Sequence, residues 1–149
     1  MLNGSSDIKV YETSSEEETY EIGRRFGEGA HAGSVFALEG DLGAGKTVFA
    51  KGFAAGLGIT DVISSPTFTI LQIYDSGRLE LYHYDAYRIE DPSEMEEIGY
   101  ADYFYGEGTC LVEWPGNIAE YFPEHYTKIT IEKDLEKGFD HRRITVTEI

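Results

Sequence analysis

The residues of this sequence that are best suited to chemistry form a glycine-rich loop with the pattern G-x-x-x-x-G-K-S/T. Its members are Gly40, Asp41, Leu42, Gly43, Ala44, Gly45, Lys46 and Thr47. Glycine permits backbone conformations that a Cβ forbids, so successive N–H groups can converge on phosphate oxygens. In such a loop the lysine contacts the β- and γ-phosphates, and the threonine hydroxyl ligates Mg²⁺. The pattern therefore predicts a phosphate-binding loop.

Two acidic residues further along the chain follow apolar runs that are typical of buried strands. Asp85 ends the run 79–84, and Glu113 ends the run 109–112. Ligands of α/β sheets lie beyond the carboxyl ends of the strands, so an acid there has the position of a magnesium-binding Walker B carboxylate. Either residue could hold the ion directly or through water, and either could instead be a solvated strand-end carboxylate. The sequence leaves that choice open.

Three further side chains have both a functional and a structural interpretation. Thr67 follows Pro66 just before a predicted strand, where its hydroxyl can sense a γ-phosphate or can simply open the strand. Trp114 can pack near a nucleotide, on a partner protein, or at the rim of the core. Arg88 can stabilise phosphate charge or form a surface salt bridge.

The elements around the loop have the order strand, loop, helix. Residues 34–39 form a short apolar run, and Phe49, Phe53 and Leu57 recur every four residues, as on one face of a helix. The helix then directs its unpaired N–H groups and its partial positive charge at the phosphates. The local context is therefore the one that a P-loop requires.

The rest of the chain alternates between helical and strand patterns. These patterns predict an edge strand at 8–11, a helix capped by Ser14 or Ser15 that reaches about Ala30, a hairpin of 68–73 with 78–85, a helix from Ser93 broken at Gly99, a strand at 109–112, a short helix at 117–122, and a C-terminal hairpin of 126–135 with 142–149. We expect an α/β fold with a mixed central sheet flanked by helices, in a single P-loop NTPase-like domain over 1–149. Residues 1–6 are polar and are expected to be flexible.

Composition narrows the function further. The formal net charge of -16 argues against autonomous binding of nucleic acid or anionic membrane, so nucleotide capture must rely on a local positive site. No signal peptide or membrane-length apolar segment is present, which predicts a cytoplasmic location. The single cysteine, Cys110, excludes an internal disulfide, and the four histidines lack metal-ligand spacing. The absence of an Asn-Lys-x-Asp motif favours ATP over GTP, and the absence of G-x-G-x-x-G excludes a dinucleotide fold.

Four motifs in the order GDLGAGKT, SSPTF, YHYDAYR and VEWPG resemble those of the TsaE (YjeE) family, over essentially the whole chain. The resemblance implies a small P-loop ATPase that binds Mg·ATP and takes part in bacterial tRNA threonylcarbamoyladenosine biosynthesis. It also implies that the protein works with TsaD and TsaB, which hold the tRNA and transfer the threonylcarbamoyl group. ATP hydrolysis would reset that complex between turnovers.

The resemblance also implies a role for individual residues. Thr47 and Glu113 would be magnesium ligands, Lys46 and the loop backbone at 41–47 would hold the phosphates, Asp85 would be the acid needed for hydrolysis, Thr67 the switch residue, Trp114 part of a partner-sensitive surface, and Thr13 and Arg142 neighbours of the adenine or ribose. The family often has an acid after Trp-Pro, where this chain has Gly116, so that position receives no role.

Two other functions are compatible with the same loop. A small-molecule or nucleoside kinase would need an acceptor pocket and an arginine-rich lid, and no arginine-rich segment follows the loop. A non-catalytic nucleotide sensor would change its partner affinity without turnover. For the leading hypothesis, an ATPase, no residue is recognisable as a built-in arginine finger, which predicts slow hydrolysis by the chain alone.

Overall fold

A single mixed β-sheet forms the centre of the molecule in a computed structural model, which describes residues 8–41, 43–63, 70–87 and 89–149. Its seven strands have the order β1-β7-β6-β2-β5-β4-β3. They are β1 (Ile8–Thr13), β2 (Val35–Glu39), β3 (Leu71–Tyr74), β4 (Leu81–Asp85), β5 (Thr109–Glu113), β6 (Thr127–Lys133) and β7 (Arg142–Glu148). Strands β6, β2, β5 and β4 run parallel, whereas the pairs β1–β7, β6–β7 and β3–β4 are antiparallel. The predicted mixed sheet, the edge position of β1 and both hairpins are confirmed.

In the described part of the chain, four α-helices flank this sheet: α1 (Glu16–Gly29), α2 (Lys46–Gly56), α3 (Glu94–Glu97) and α4 (Tyr100–Phe104). Ser15 caps α1, because its Oγ accepts the N–H of Glu18 at 3.2 Å. The Glu18 carboxylate accepts the N–H of Ser14 at 2.6 Å, one residue before the cap, so Glu18 stabilises the start of the helix as predicted, although its bond does not reach the N–H of Ser15. Gly99, with φ of 69°, separates α3 from α4 at the predicted break.

Helix α1 packs closely on α2. A Cβ on Gly27 would lie 2.0 Å from the carbonyl oxygen of Phe53, and one on Gly52 would lie 2.0 Å from that of Tyr20. The backbones of the two helices therefore touch at both glycines, each of which faces the backbone of the other helix. Phe26 extends from α1 to the sheet and meets Phe36 of β2 at 6.5 Å between ring centroids, as expected for a helix that lies against a sheet.

Each face of the sheet carries its own apolar core. The face under α1 and α2 includes Leu38, Leu81 and Leu111. The opposite face includes Tyr84 and Val112, covered by α3, α4 and a 3₁₀ helix over Pro115–Tyr121. That 3₁₀ helix replaces the helix predicted at 117–122, and it begins earlier because Pro115 suits a first helical position.

Some predictions fall outside the described residues. These are the flexibility of residues 1–6, the roles of Leu42 and Arg88, and the first part of the hairpin strand with Thr67. The assignment of 1–149 to one domain remains a prediction.

Candidate functional site

The glycine loop connects the end of β2 to the start of α2, as the motif requires. Gly43 and Gly45 have φ of 79° and 109°, a left-handed conformation that side chains with a Cβ rarely adopt. A Cβ on Gly40 would lie 2.8 Å from the carbonyl oxygen of Ile131 on β6. The loop therefore needs glycine at these three positions, two for backbone shape and one for close approach to a neighbouring strand.

The first turn of α2 is built to receive an anion. Its cap residue, Gly45, provides no side-chain hydrogen bond, and the turn contains no acidic residue. The first N–H groups of a helix have no intrahelical acceptor, and the helix dipole adds positive potential there. Thr47, half-buried in this turn, has a hydroxyl suited to a magnesium ligand.

Lys46 is buried among polar and aromatic groups. Its exposed fraction is only 7%, and its Nζ donates to the carbonyl oxygen of Gly40 at 2.6 Å. The same ammonium lies 3.4 Å from the centre of the Trp114 ring, a cation–π contact. Burial lowers the pKa of Lys46, while the nearby carboxylates of Glu113, Asp85 and Asp41 oppose that shift. Lysine, loop and tryptophan thus form one contiguous site.

The two strand-end acids lie side by side. Asp85 of β4 is paired with Glu113 of β5 in a parallel register, on the face of the sheet that carries α2. Burial raises the pKa of Asp85, a hydrogen bond of 2.9 Å from the N–H of Tyr87 opposes this, and the charge of Glu113 adds to it. Both predicted acids therefore belong to the site that contains Lys46.

Glu113 is almost completely buried, with 3% of its surface exposed. Its Oε2 lies 2.6 Å from Nε2 of His83, whose exposed fraction is 1%. The sequence motifs assigned no role to His83. The available signal was the spacing His-x-Asp, which puts both residues on one face of β4.

Trp114 lies half-buried at the mouth of the site. It is the one non-glycine among the described residues with positive φ, at 57°. The ring of Tyr87 packs against it at a tilt of 51°, with 4.9 Å between centroids. Asn117 ties this segment to the end of β4 by donating to the carbonyl oxygen of Ala86 at 2.9 Å. Gly116 is exposed, next to the cleft described below.

Thr13 and Arg142 lie on the other side of the loop, paired across β1 and β7. Thr13 is buried, and its hydroxyl shares a hydrogen bond of 2.8 Å with that of Thr19. Arg142 Nε donates to the carbonyl oxygen of Ala44 at 2.8 Å. The structure therefore brings both residues to the loop, with Arg142 bound to the loop backbone itself.

Lys133 at the end of β6 is a further cation that the sequence did not single out. Its Nζ lies 3.4 Å from the position of a Cβ on Gly43. Lys133 also pairs with Arg142 across β6 and β7. Lys46, Lys133 and Arg142 thus surround the loop with positive charge, which is the local positive site that an otherwise acidic chain needs.

Two cavities adjoin the loop. The larger, of about 520 Å³, is lined by loop residues, by Tyr87 and Trp114, and by residues 130–132 of β6. A smaller one, of about 70 Å³, is lined by Ser15, Gly43, Gly45 and Arg142 among others. The loop therefore has open space on both sides, as a binding site for an elongated phosphate ligand requires.

The oxygen donors at this site suit magnesium. Thr47, Asp85 and Glu113 offer hydroxyl and carboxylate oxygens, the hard ligands that Mg²⁺ prefers. Within the described ranges no group of three or more His, Cys, Asp or Glu residues is placed to hold a metal ion.

Comparisons with known proteins agree with one another. The family model described as threonylcarbamoyl adenosine biosynthesis protein TsaE matches residues 13–144. The chain is 49% identical over 139 residues to a protein of Bacillus subtilis named tRNA threonylcarbamoyladenosine biosynthesis protein TsaE, covering 93% of this chain and 85% of that protein. A Treponema pallidum protein of the same name is 43% identical over 132 residues, covering 89% of this chain and 95% of the relative.

A solved structure is similar over nearly the whole length. It is the crystal structure of YdiB from Bacillus subtilis, which superposes with a TM-score of 0.84 at 41% sequence identity. The alignment covers 99% of this chain and 89% of that one. Among the helices that the structure describes, none is long and apolar enough to cross a membrane.

Proposed function

Because the chain belongs to the TsaE family and has its part in tRNA threonylcarbamoyladenosine biosynthesis, we propose that it binds Mg·ATP at the glycine loop and hydrolyses it as a component of that machinery. The observation that carries the proposal is the convergence of Lys46, Asp85 and Glu113 beside a loop whose glycines have positive φ. A turn that merely joined a strand to a helix would need neither a buried lysine nor two acids.

The loop backbone and Lys46 bind the phosphates in this proposal. Lys46 exchanges its contacts with Gly40 and Trp114 for the β- and γ-phosphates, and the N–H groups of the first turn of α2 donate to phosphate oxygens. Asp41, Leu42, Gly43, Ala44 and Gly45 supply the surrounding backbone. Thr13 and Arg142 flank the nucleoside side of the loop.

Hydrolysis depends on the acids. Thr47 and Glu113 would hold the magnesium ion, which when bound neutralises charge on the phosphate oxygens. Asp85 would orient the attacking water and accept its proton, a role that suits its position next to Glu113 and its raised pKa. Thr67 completes the proposed site as the switch residue and lies outside the described residues.

The arginines of the described residues support slow turnover by the chain alone. Arg24 and Arg25 pair with Glu21 on α1, and Arg78 donates to three carbonyl oxygens at the end of that helix. Arg142 donates to the loop backbone, and Arg143 pairs with Asp134. Each is engaged away from the two acids. An arginine in the transition state can raise the rate of phosphoryl transfer by several orders of magnitude, so a partner protein is the proposed source of acceleration.

TsaD and TsaB are the proposed partners, in the cytoplasm, and tRNA would be reached only through them. The half-buried ring of Trp114 joins Lys46 to the mouth of the site, so a partner that contacts this surface would sense the state of the loop. The acidic surface agrees with an indirect connection to tRNA.

Phosphate release and calorimetry with ATP test the proposal. We expect slow Mg²⁺-dependent hydrolysis that rises when TsaD and TsaB are added. Lys46→Ala should weaken ATP binding about 10- to 100-fold, because it removes a charged hydrogen bond to phosphate. Asp85→Asn should slow hydrolysis about 100-fold or more with little change in affinity, as loss of a general base does.

Lys51→Ala is the matched control for Lys46→Ala, because Lys51 is an exposed lysine on the same helix. It should bind and hydrolyse ATP as the unmodified chain does. Failure of the folded chain to take up ATP, or undiminished turnover in Asp85→Asn, would contradict the proposal. Transfer of the γ-phosphate to an acceptor rather than to water would indicate a kinase, and nucleotide-dependent partner binding without hydrolysis would indicate a sensor.

A further inference from the structure

The closest buried contact between charged or ionisable side chains described here joins two residues of neighbouring strands. Nε2 of His83 lies 2.6 Å from Oε2 of Glu113, and the side chains are 1% and 4% exposed. Burying a carboxylate costs several kcal/mol unless it is hydrogen-bonded, and replacing such a pair by apolar residues often stabilises a protein. The stability of the core alone therefore does not account for a histidine at this position.

The register of the sheet explains how the contact arises. His83 is paired with Leu111, one step behind the pair formed by Asp85 and Glu113, and all four side chains lie on one face. The imidazole reaches forward along this face to the carboxylate. An ionised carboxylate only accepts hydrogen bonds, so Nε2 is the donor and the tautomer with hydrogen on Nε2 is assigned. Among the described residues, the buried Nδ1 of His83 has no hydrogen-bond partner, and the hydrogen bond of the ring is the one to Glu113.

We propose that His83 is a positioning residue that holds the Glu113 carboxylate in the orientation needed to bind the magnesium ion of the nucleotide complex. This inference rests on the proposed function, because it assigns Glu113 to the metal. With Oε2 engaged by His83, Oε1 is the oxygen assigned to the ion or to a water bound to it. A free glutamate side chain would have to be ordered when the metal binds, whereas the buried pair is ordered beforehand.

Hydrogen bonds to the groups that ligate a metal ion contribute measurably to the affinity for that ion. Loss of such an outer contact typically lowers metal affinity 10- to 100-fold. Replacing His83 by glutamine or by asparagine distinguishes this role from a general role in packing. The amide nitrogen of glutamine extends about as far as imidazole Nε2, whereas that of asparagine matches Nδ1 and stops short of Glu113.

Manganese binding, followed by electron paramagnetic resonance, tests the inference. Mn²⁺ replaces Mg²⁺ at oxygen sites, and the non-hydrolysable analogue AMP-PNP supplies the nucleotide. We expect His83→Asn to weaken Mn²⁺ binding in the ternary complex 10- to 100-fold and His83→Gln to stay within about threefold of the unmodified chain. AMP-PNP affinity measured in EDTA by calorimetry should be nearly the same in all three proteins.

Tyr84→Phe is the control on the same strand. It removes a buried hydroxyl from the opposite face of β4 that has no hydrogen-bond partner in the part of the chain that the structure describes, and it should leave Mn²⁺ affinity unchanged. Equal Mn²⁺ affinity of His83→Gln and His83→Asn would overturn the inference, and so would an equal loss of AMP-PNP affinity with and without metal. If His83→Asn does not fold, a folded His83→Gln protein that binds Mn²⁺ more than tenfold more weakly overturns it. Failure of the unmodified chain to bind AMP-PNP at all would instead contradict the proposed function.

Discussion

At the scale of single residues, Arg142 has contacts that its expected role did not anticipate. Resemblance to the family implied a place near the adenine or ribose. Its guanidinium donates to the carbonyl oxygens of Ala44, Phe139 and His141 at 2.8, 3.0 and 2.9 Å. Three backbone acceptors on two segments connect the phosphate loop to the turn between β6 and β7. In this arrangement Arg142 stabilises the conformation of the loop.

The substitution Arg142→Met distinguishes a residue that stabilises the loop from one that contacts the nucleoside, because the two roles predict different losses of ligand affinity. If Arg142 holds the loop in shape, affinity for ATP and for inorganic tripolyphosphate should both fall about tenfold, since a hydrogen bond from a charged group is lost. Calorimetry with the two ligands measures this. Arg143→Met, on the exposed neighbouring position, should affect neither. A loss confined to ATP would place Arg142 on the ribose or base instead.

The residues that could be predicted from sequence are those fixed by a local pattern. The loop from Gly40 to Thr47 is one, and Asp85 and Glu113 were recognisable because each ends an apolar run. His83 and Lys133 were not, because their relevant contacts cross between strands that are distant in sequence. Which residues meet at the site depends on the order and register of the strands, and the local periodicity of the sequence does not encode either.

At the scale of elements, alternation of apolar residues identified the strands, but it could not give their order. The C-terminal hairpin enters the sheet through β6, which pairs in parallel with β2.

The two glycines at the end of α2, Gly56 and Gly58, have different roles, which the sequence did not show. Gly58, with φ of 81°, ends the helix in a left-handed conformation, whereas a Cβ on Gly56 would lie 2.1 Å from the carbonyl oxygen of Arg24. Gly56 therefore serves packing between α1 and α2.

The contact between α1 and α2 predicts opposite effects for the same substitution at two positions of one helix. Gly27→Ala should lower the free energy of unfolding by at least about 2 kcal/mol, because its Cβ meets the backbone of Phe53. Gly29→Ala should leave that free energy unchanged or raise it by up to about 1 kcal/mol, since a Cβ there meets nothing within 4 Å and alanine favours helix. Urea denaturation followed by circular dichroism measures both. Equal effects at the two positions would contradict the close approach.

At the scale of the whole molecule, charge is distributed unevenly. A chain with a net charge of -16 concentrates Lys46, Lys133 and Arg142 around one loop. An anion the size of a triphosphate can be held there by backbone N–H groups and this positive charge, while a tRNA backbone would meet mostly carboxylates. The overall composition thus argues against nucleic acid as a direct partner, and the fold places positive charge around the glycine loop.

This distribution predicts that the free chain does not bind tRNA. Gel-shift titration at 0.15 M salt should show no complex up to about 100 µM protein, a concentration at which nonspecific nucleic-acid binders associate. Addition of TsaD and TsaB should bring tRNA into the complex, because those proteins would supply the basic surface that this chain lacks. A shift by the free chain that weakens steeply with salt would show that its few cations do contact the phosphate backbone. The connection to tRNA would then be direct, and the division of labour between nucleotide hydrolysis and tRNA binding would have to be abandoned.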